Sequence, residues 1–250
     1  MSSVASLALS AIERGRELLN SVDYRLIETA EEREQIYRLR YRAYIHEGAI
    51  EPRADHRVTD RFDDMPNTWI FGVYFEGVLA SSIRISVATP DNPISPSVDA
   101  FPDVLLPELA KGKTIVDPTR FVADPARAKR YRELPYLTVR LAYVACGHFD
   151  ADLGLATVRP EHCAFYHRVF LHETITPPRQ PPGMTKAFCV MATDCRKVRE
   201  RIYRRYPYFH ATRFERRMLF ERRHSAEAAP SLQAEPMAGG LASARLASKS

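Results

Sequence analysis

The chain has 250 residues, 45% hydrophobic and 27% charged, a composition that excludes disorder as the main state and is long enough to bury a sizeable core. No apolar run approaches the roughly 20 residues a spanning helix needs, and the four cysteines hold no CxxC pair, so neither an integral membrane protein nor a disulfide framework is expected. Thirty-six Lys and Arg against 31 Asp and Glu leave +5, too mild a charge to name a partner by itself.

In chain order, residues 1–21 read as an amphipathic N-terminal helix, with Val4, Leu7, Ala8, Ala11, Ile12 and Leu19 near helical spacing. Glu13 and Arg14 precede any small-residue cleavage site and no basic leader comes first, so no secretory signal is expected and the protein is placed in the cytoplasm. A strand over 24–28 and a helix over 31–45, carrying Ile36, Leu39, Tyr41 and Tyr44, open a single domain expected over 22–210. The polar stretch 46–67 is a loop of a length compact domains seldom tolerate without function. Residues 68–75 and 78–87 form a hairpin about Glu76-Gly77. The proline-rich stretch 89–113 reads as loop, and 114–123 returns to strand, bulged or at an edge because Pro118 removes a ladder donor. A long helix starts at Pro125 and is kinked or divided by Pro135. A strand over 153–158, a helix over 161–170, a strand over 186–193 and a basic helix over 194–206 follow, and residues 211–250 are a basic, then disordered, tail. A meander followed by a strand–helix–strand crossover predicts a mixed sheet packed between helices.

Chemistry-bearing motifs are sparse. There is no GxGxxG, P-loop or GxSxG elbow, and His162, His167 and His172 have no zinc-ligand spacing, so no metal is expected. Between Asp194 and Arg223, eleven Lys and Arg face four acids, a local +7 that would suit an anionic bilayer, nucleic acid or an acidic protein, or would simply solvate a helix. Tyr203, Tyr206, Tyr208 and Phe209 offer base stacking there, but the segment fits no nucleic-acid motif, and no nucleic-acid partner is expected. Arg84 interrupts one strand, and Asp117 with Arg120 another. Charges on half-buried strands need partners. Asp60, Asp63 and Arg40 supply them, either as a structural ion-pair network or as an electrostatic cage around a polar substrate.

The sequence Arg40-x-x-x-Tyr44, Asp60-Arg-Phe-Asp63, a hairpin ending in Arg84, Phe101, and Asp117-Pro-Thr-Arg120-Phe121 resembles the signature of acyl-homoserine-lactone synthases. The segment Thr157 to Phe170, with Phe165 and Tyr166, is closer to the related N-acyl amino acid synthases of the FeeM type. The resemblance implies an α+β (α/β/α), GNAT-like acyltransferase fold: a mixed, mostly antiparallel central sheet with splayed central strands and helices on both faces. It implies an N-acyltransferase that moves a long-chain fatty acyl group from acyl carrier protein to the amine of an amino acid or related small molecule. No cofactor is bound; the co-substrate is an acyl thioester on 4'-phosphopantetheine of the carrier. Asp117, Arg120 and Arg84 match the catalytic positions, with Asp117 as base directly or through a water, and Arg40, Tyr44, Asp60, Asp63, Phe101, Phe165 and Tyr166 the substrate-binding ones. Asp117 stands where the lactone synthases have Glu, and Ile50 near where they carry Trp, which weakens the case for S-adenosylmethionine as acceptor.

CoA-dependent relatives usually hold the pyrophosphate with a glycine-rich turn after the central strand. Here the turn is glycine-free, and Arg127, Lys129, Arg130 and Arg132 either offer a patch that suits an acidic carrier protein or simply solvate the first turns of the helix. A lactone synthase, an acyl-CoA-dependent enzyme and a non-enzymatic binding module on the basic segment, with peripheral membrane contact, are the alternatives.

Overall fold

The structure, a computed structural model, describes residues 13, 17, 19–180 and 185–221. Most of the expected N-terminal helix and the end of the tail lie outside the described residues.

Several helices start where a side chain satisfies free backbone groups. After strand β1 (Val22–Leu26), Thr29 opens helix α1 (Ala30–His46) with a capping box: its Oγ1 accepts from the Glu32 amide at 3.2 Å, and Glu32 accepts from the Thr29 amide at 3.1 Å. The chain then runs to a 3-10 turn at Arg61–Asp64. Strands β2 (Thr68–Phe75) and β3 (Val78–Ala88) pair about Glu76-Gly77, whose φ of 51° and 76° give the hairpin its left-handed turn. The stretch 89–113, expected to be loop, instead holds helices α2 (Pro96–Ala100) and α3 (Pro102–Ala110). Ser95 Oγ accepts from the Val98 amide at 3.3 Å, and a proline opens each helix, so residues read as loop chemistry are helix-start signals.

Strand β4 (Ile115–Ala123) leads to helix α4 (Pro125–Arg130) and helix α5 (Leu134–His148), the division expected at Pro135. Strand β5 (Leu153–Val158) completes the crossover from β4, and helix α6 (Cys163–Phe170), the short β6 (Glu173–Thr174), strand β7 (Cys189–Asp194), which returns antiparallel to β5, and helix α7 (Cys195–Arg205) follow. Helix α8 (Arg213–Phe220) carries the packed fold past the expected boundary at 210. It is fixed from beneath, because buried Arg140 of α5 pairs with Glu215 at 2.7 Å and Trp69 Nε1 donates to the Phe220 carbonyl at 3.2 Å.

The seven strands are ordered β1-β2-β3-β4-β5-β7-β6, and every pairing is antiparallel except β4 with β5. That parallel contact is short: Ile115 pairs with Leu153 and Val116 with Gly154, and there the ladder ends. Beyond it the two strands splay. A bulge lies at the same place, since Arg84 faces Thr119 while Ser82 faces Val122, one residue more on β4 than on β3. Arg120 takes up the extra residue with φ 53°, an uncommon conformation for a side-chain-bearing residue.

Strand alternation sorts the two faces. Val116 and β3 residues Ile83, Ile85 and Val87 pack under α5 and α8 in the largest core cluster. Ile115 and Ala88 turn the other way, into a cluster with Val98, Phe101, Leu105 and Leu109 of the α2–α3 layer. Val122 meets Leu39 and Ala43 of α1 on that second face.

Candidate active site

On the α1 face the charges flanking the bulge form one network. Asp63 accepts from Arg40 Nη1 through both oxygens, at 2.9 and 2.8 Å, from Arg84 Nη1 at 3.0 Å and from Thr59 Oγ1 at 2.8 Å. Arg84 also donates to Asp60 and, through Nε, to Thr119 Oγ1 at 3.0 Å. Arg120 donates to Asp60 Oδ2 through Nη2 at 2.6 Å and to the Tyr44 hydroxyl at 3.4 Å. Thus Arg40, Tyr44, Asp60, Asp63, Arg84 and Arg120, predicted from the sequence, come together, and they pin the 47–67 loop across β3 and β4.

Three guanidiniums meet two carboxylates there. Burial works to raise both carboxyls, but the Arg84 hydrogen bond with the Arg84 and Arg120 charges holds Asp60 far below the ordinary range, and Arg40 with Arg84 lowers Asp63. Burial lowers Arg40, whose Nε and Nη2 have no hydrogen-bond partner among the described residues. The Arg84 side chain is only 1% exposed, whereas Arg120 is 18% exposed, so of these two only Arg120 is reachable from solvent.

Asp117 stands apart from this network. Fully buried, it accepts at Oδ2 from the Ser97 amide at 2.8 Å and at Oδ1 from the Ser97 hydroxyl at 2.7 Å. Ser97 Oγ also lies 2.6 Å from Thr157 Oγ1, so α2 ties β4 to β5 across their divergence. Burial pushes the Asp117 carboxyl up, against the opposing pull of the Ser97 hydrogen bonds. Both Asp117 oxygens are engaged by Ser97, which disfavours the first of the two routes expected of it, direct or through a water.

On the opposite face the divergence opens into an apolar cavity of about 20 Å³, room for a single water. Val116 and Pro118 of β4, Gly154 and Leu155 of β5, and Tyr143 and Phe170 of the covering helices are among its walls. The Tyr143 hydroxyl and both His172 nitrogens at its edge are buried without a hydrogen-bond partner among the described residues. Burial lowers His172 to about 4, so it is neutral at physiological pH.

The remaining predicted residues separate. Tyr166 lines the cavity, and Phe165 packs beside it in the aromatic cluster of α5, α6 and α7. Phe101 is fully buried among Leu105, Leu109 and Leu155, a core residue of the α2–α3 layer with no place in the cavity wall. Lys129, Arg130 and Arg132 are exposed and Arg127 half-buried on and just after α4. Ser97 and Tyr143 escaped the sequence reading, while Thr157 entered it only as the start of the 157–170 segment and His172 only as a rejected zinc ligand; the Ser95-Pro96-Ser97 helix start carried a usable signal. Among the described residues no group of three or more His, Cys, Asp or Glu is placed to hold a metal ion.

A parallel strand pair that parts after two residues, with a bulged central strand and helices on both faces, is the architecture of the GNAT-like acyltransferases. The structure of FeeM, an N-acyl amino acid synthase from uncultured soil microbes, matches with a TM-score of 0.60 at 17% identity, covering 72% of this chain and 93% of that one. The CoA-dependent acyl-homoserine lactone synthase BjaI matches with a TM-score of 0.50 at 16% identity, over 70% of this chain and 81% of that one. No curated protein sequence matches the chain. The fold is therefore that of the GNAT-like acyltransferases. More narrowly, the family model of the N-acyl amino acid synthase FeeM matches residues 35–194, so the chain belongs to that family and is an amide-forming acyltransferase.

Proposed function

We propose that the chain transfers a long-chain acyl group from the 4'-phosphopantetheine thioester of acyl carrier protein to the amine of an amino acid or related small molecule. The observation that carries this reading is the gap between β4 and β5, with an apolar cavity on one face and an excess of guanidinium charge on the other. An acyl chain would enter the cavity and widen it by moving the aromatic side chains of α5 and α6. The acceptor would approach from the α1 face, its carboxylate meeting Arg120 while Arg84 keeps the loop in place.

The neutral amine then attacks the thioester carbon, forming the C–N bond and an oxyanion; collapse expels the pantetheine thiolate, and the amine gives up one proton. Past Val116 the β4 backbone has no β5 ladder partner, so its N–H groups at the bulge suit the developing oxyanion. The proton would pass through the Thr157 and Ser97 hydroxyls to Asp117, whose raised affinity makes it a suitable terminus.

The carrier assignment rests on α4. Asp124 Oδ1 accepts from the Ala126 and Arg127 amides at 3.1 and 3.2 Å, so this helix end already holds its own carboxylate where a CoA pyrophosphate would need free N–H groups. Its cations point outward instead and would attract an acidic carrier. The test supplies matched acyl-carrier protein and acyl-CoA with each amino acid in turn and identifies amides by mass spectrometry. Preference for the carrier, weakened by salt and by the triple reversal of Arg127, Arg130 and Arg132 to Glu, is expected. Equal use of CoA would remove the carrier, and the absence of any N-acyl amino acid would remove the acceptor.

A further inference from the structure

The basic segment has no part in that reaction, and its structure separates the partners its charge would suit. Base stacking is the first to go: Phe209 is fully buried and Tyr208 nearly so, and Tyr203 and Tyr206 are half-buried with their rings against Tyr143 and Phe209. Helix α8 presents the opposite arrangement. At roughly 100° per residue, Arg213, Phe214, Arg217 and Met218 occupy one arc of about 140°, while Glu215 and Leu219 turn inward to Arg140 and the core. Phe214 is 74% exposed and Met218 57%, the two most exposed large apolar side chains among the described residues, one helical turn apart.

The charge around them is only partly answered. Lys197 pairs with Asp194 and Arg217 with Glu221, but among the described residues no carboxylate lies within 4.0 Å of the Arg201, Arg204 or Arg213 guanidinium. Helices α7 and α8 adjoin, because Tyr203 of the first and Arg216 of the second both border Gly147 of α5. Lys197, Arg201 and Arg204 share the outward face of α7.

We propose that the outer face of α8, with the cations of α7 beside it, docks the protein on an anionic lipid bilayer. Phe214 and Met218 would sink to the boundary between headgroups and acyl chains, and Arg201, Arg204, Arg213 and Arg217 would meet the lipid phosphates. An acidic protein would answer the charge but leave the two protruding apolar side chains unexplained. A bilayer answers both. Each cation contributes about fivefold to binding and fades with salt.

The test sediments the full chain with vesicles of phosphatidylcholine alone and of phosphatidylcholine with phosphatidylglycerol. Partition to the anionic vesicles is expected, falling about tenfold or more in the F214E/M218E double variant and losing its salt dependence in R201E/R204E/R213E. Melting temperature and transfer from soluble donors stay unchanged in F214E/M218E, since both side chains face solvent. Unchanged partition in F214E/M218E overturns the proposal, as does equal binding to neutral vesicles. A dimer that F214E dissolves overturns it too, by making this face a contact between copies.

Discussion

Replacement of Asp63 by Ala tests the charge network where it is most tightly drawn. The Asp63 side chain is 0% exposed and receives four side-chain hydrogen bonds, two of them from Arg40 Nη1. Arg84 would keep Asp60 and Thr119, but Arg40, itself 0% exposed, would be left with only the Val58 carbonyl at 3.4 Å. Breaking a buried pair from one side costs about 3–5 kcal/mol, a large share of the 5–15 kcal/mol that holds a typical domain. At about 2–4 °C per kcal/mol for a chain of this size, the melting temperature should fall by roughly 6–20 °C. Replacing both partners with apolar residues of similar volume, Arg40→Met with Asp63→Leu, should cost at least about 2 kcal/mol less than the two single changes added together. Thermal and urea melts on the parent, the two single variants and the double variant close the cycle, with D63A measured beside them. Additive costs, or a D63A protein melting within about 2 °C of the parent, would refute the network as a stabilising unit. The pH dependence follows the same geometry. Asp60 and Asp63 are held below their unfolded values, so their contribution is complete above about pH 4 and is lost as acid protonates them at lower pH, a loss that D63A should blunt.

His172 works in a neighbouring window: its folded value of about 4 lies below the unfolded 6.5, so stability is full above pH 6.5 and declines by up to about 3 kcal/mol on the way down to pH 4. In His172→Phe that slope should flatten in melts across this range. Ser97→Ala and Thr157→Val should each lower kcat roughly 10- to 1,000-fold and shift its pH profile, with KM for the donor little changed; a full-rate Ser97→Ala enzyme would disconnect Asp117 from the proton path. Gly154→Ala places a methyl 3.2 Å from Cys195 Sγ and 3.3 Å from Cys146 Sγ at the cavity wall. It should cost about 1–3 kcal/mol in melts and penalise long acyl donors more than short ones in transfer assays.

Much of the fold was legible because its strands are short and bounded by turns: 68–75, 153–158 and the hairpin at Glu76-Gly77 stand where residue content and the tight turn placed them. The α2–α3 layer was not, because proline is equally at home in a loop and at the first position of a helix. Helix α8 was hidden by its charge, since three of its eight residues are arginine and its anchoring comes from Arg140 and Trp69, 75 and 151 residues from their partners. In the site, the charge network was readable because charges on core strands demand partners. The surroundings of Asp117 were not readable: its partner, Ser97, is a serine 20 residues upstream that only the packing of α2 brings within 2.8 Å. His172 and Tyr143 gave no signal, since a lone His or Tyr among aromatics is indistinguishable in sequence from ordinary core.

A sheet joined at its middle by two residue pairs divides heritable labour. In the proposed reaction β3 and β4 carry Arg84, Thr119 and Arg120, the part that would recognise charge, whereas the cavity wall is shared: Val116, Pro118 and Tyr143 stand on one side of the seam, and Leu155, Tyr166 and Phe170 on the other. Because so few backbone bonds cross the seam, the β5 side of that wall can change without disturbing the charge network. On that reading chain-length preference can drift among related sequences while acceptor preference is held. An exchange of residues 153–194 between two such enzymes should shift the chain length toward that of the enzyme supplying the segment and leave the amine unchanged.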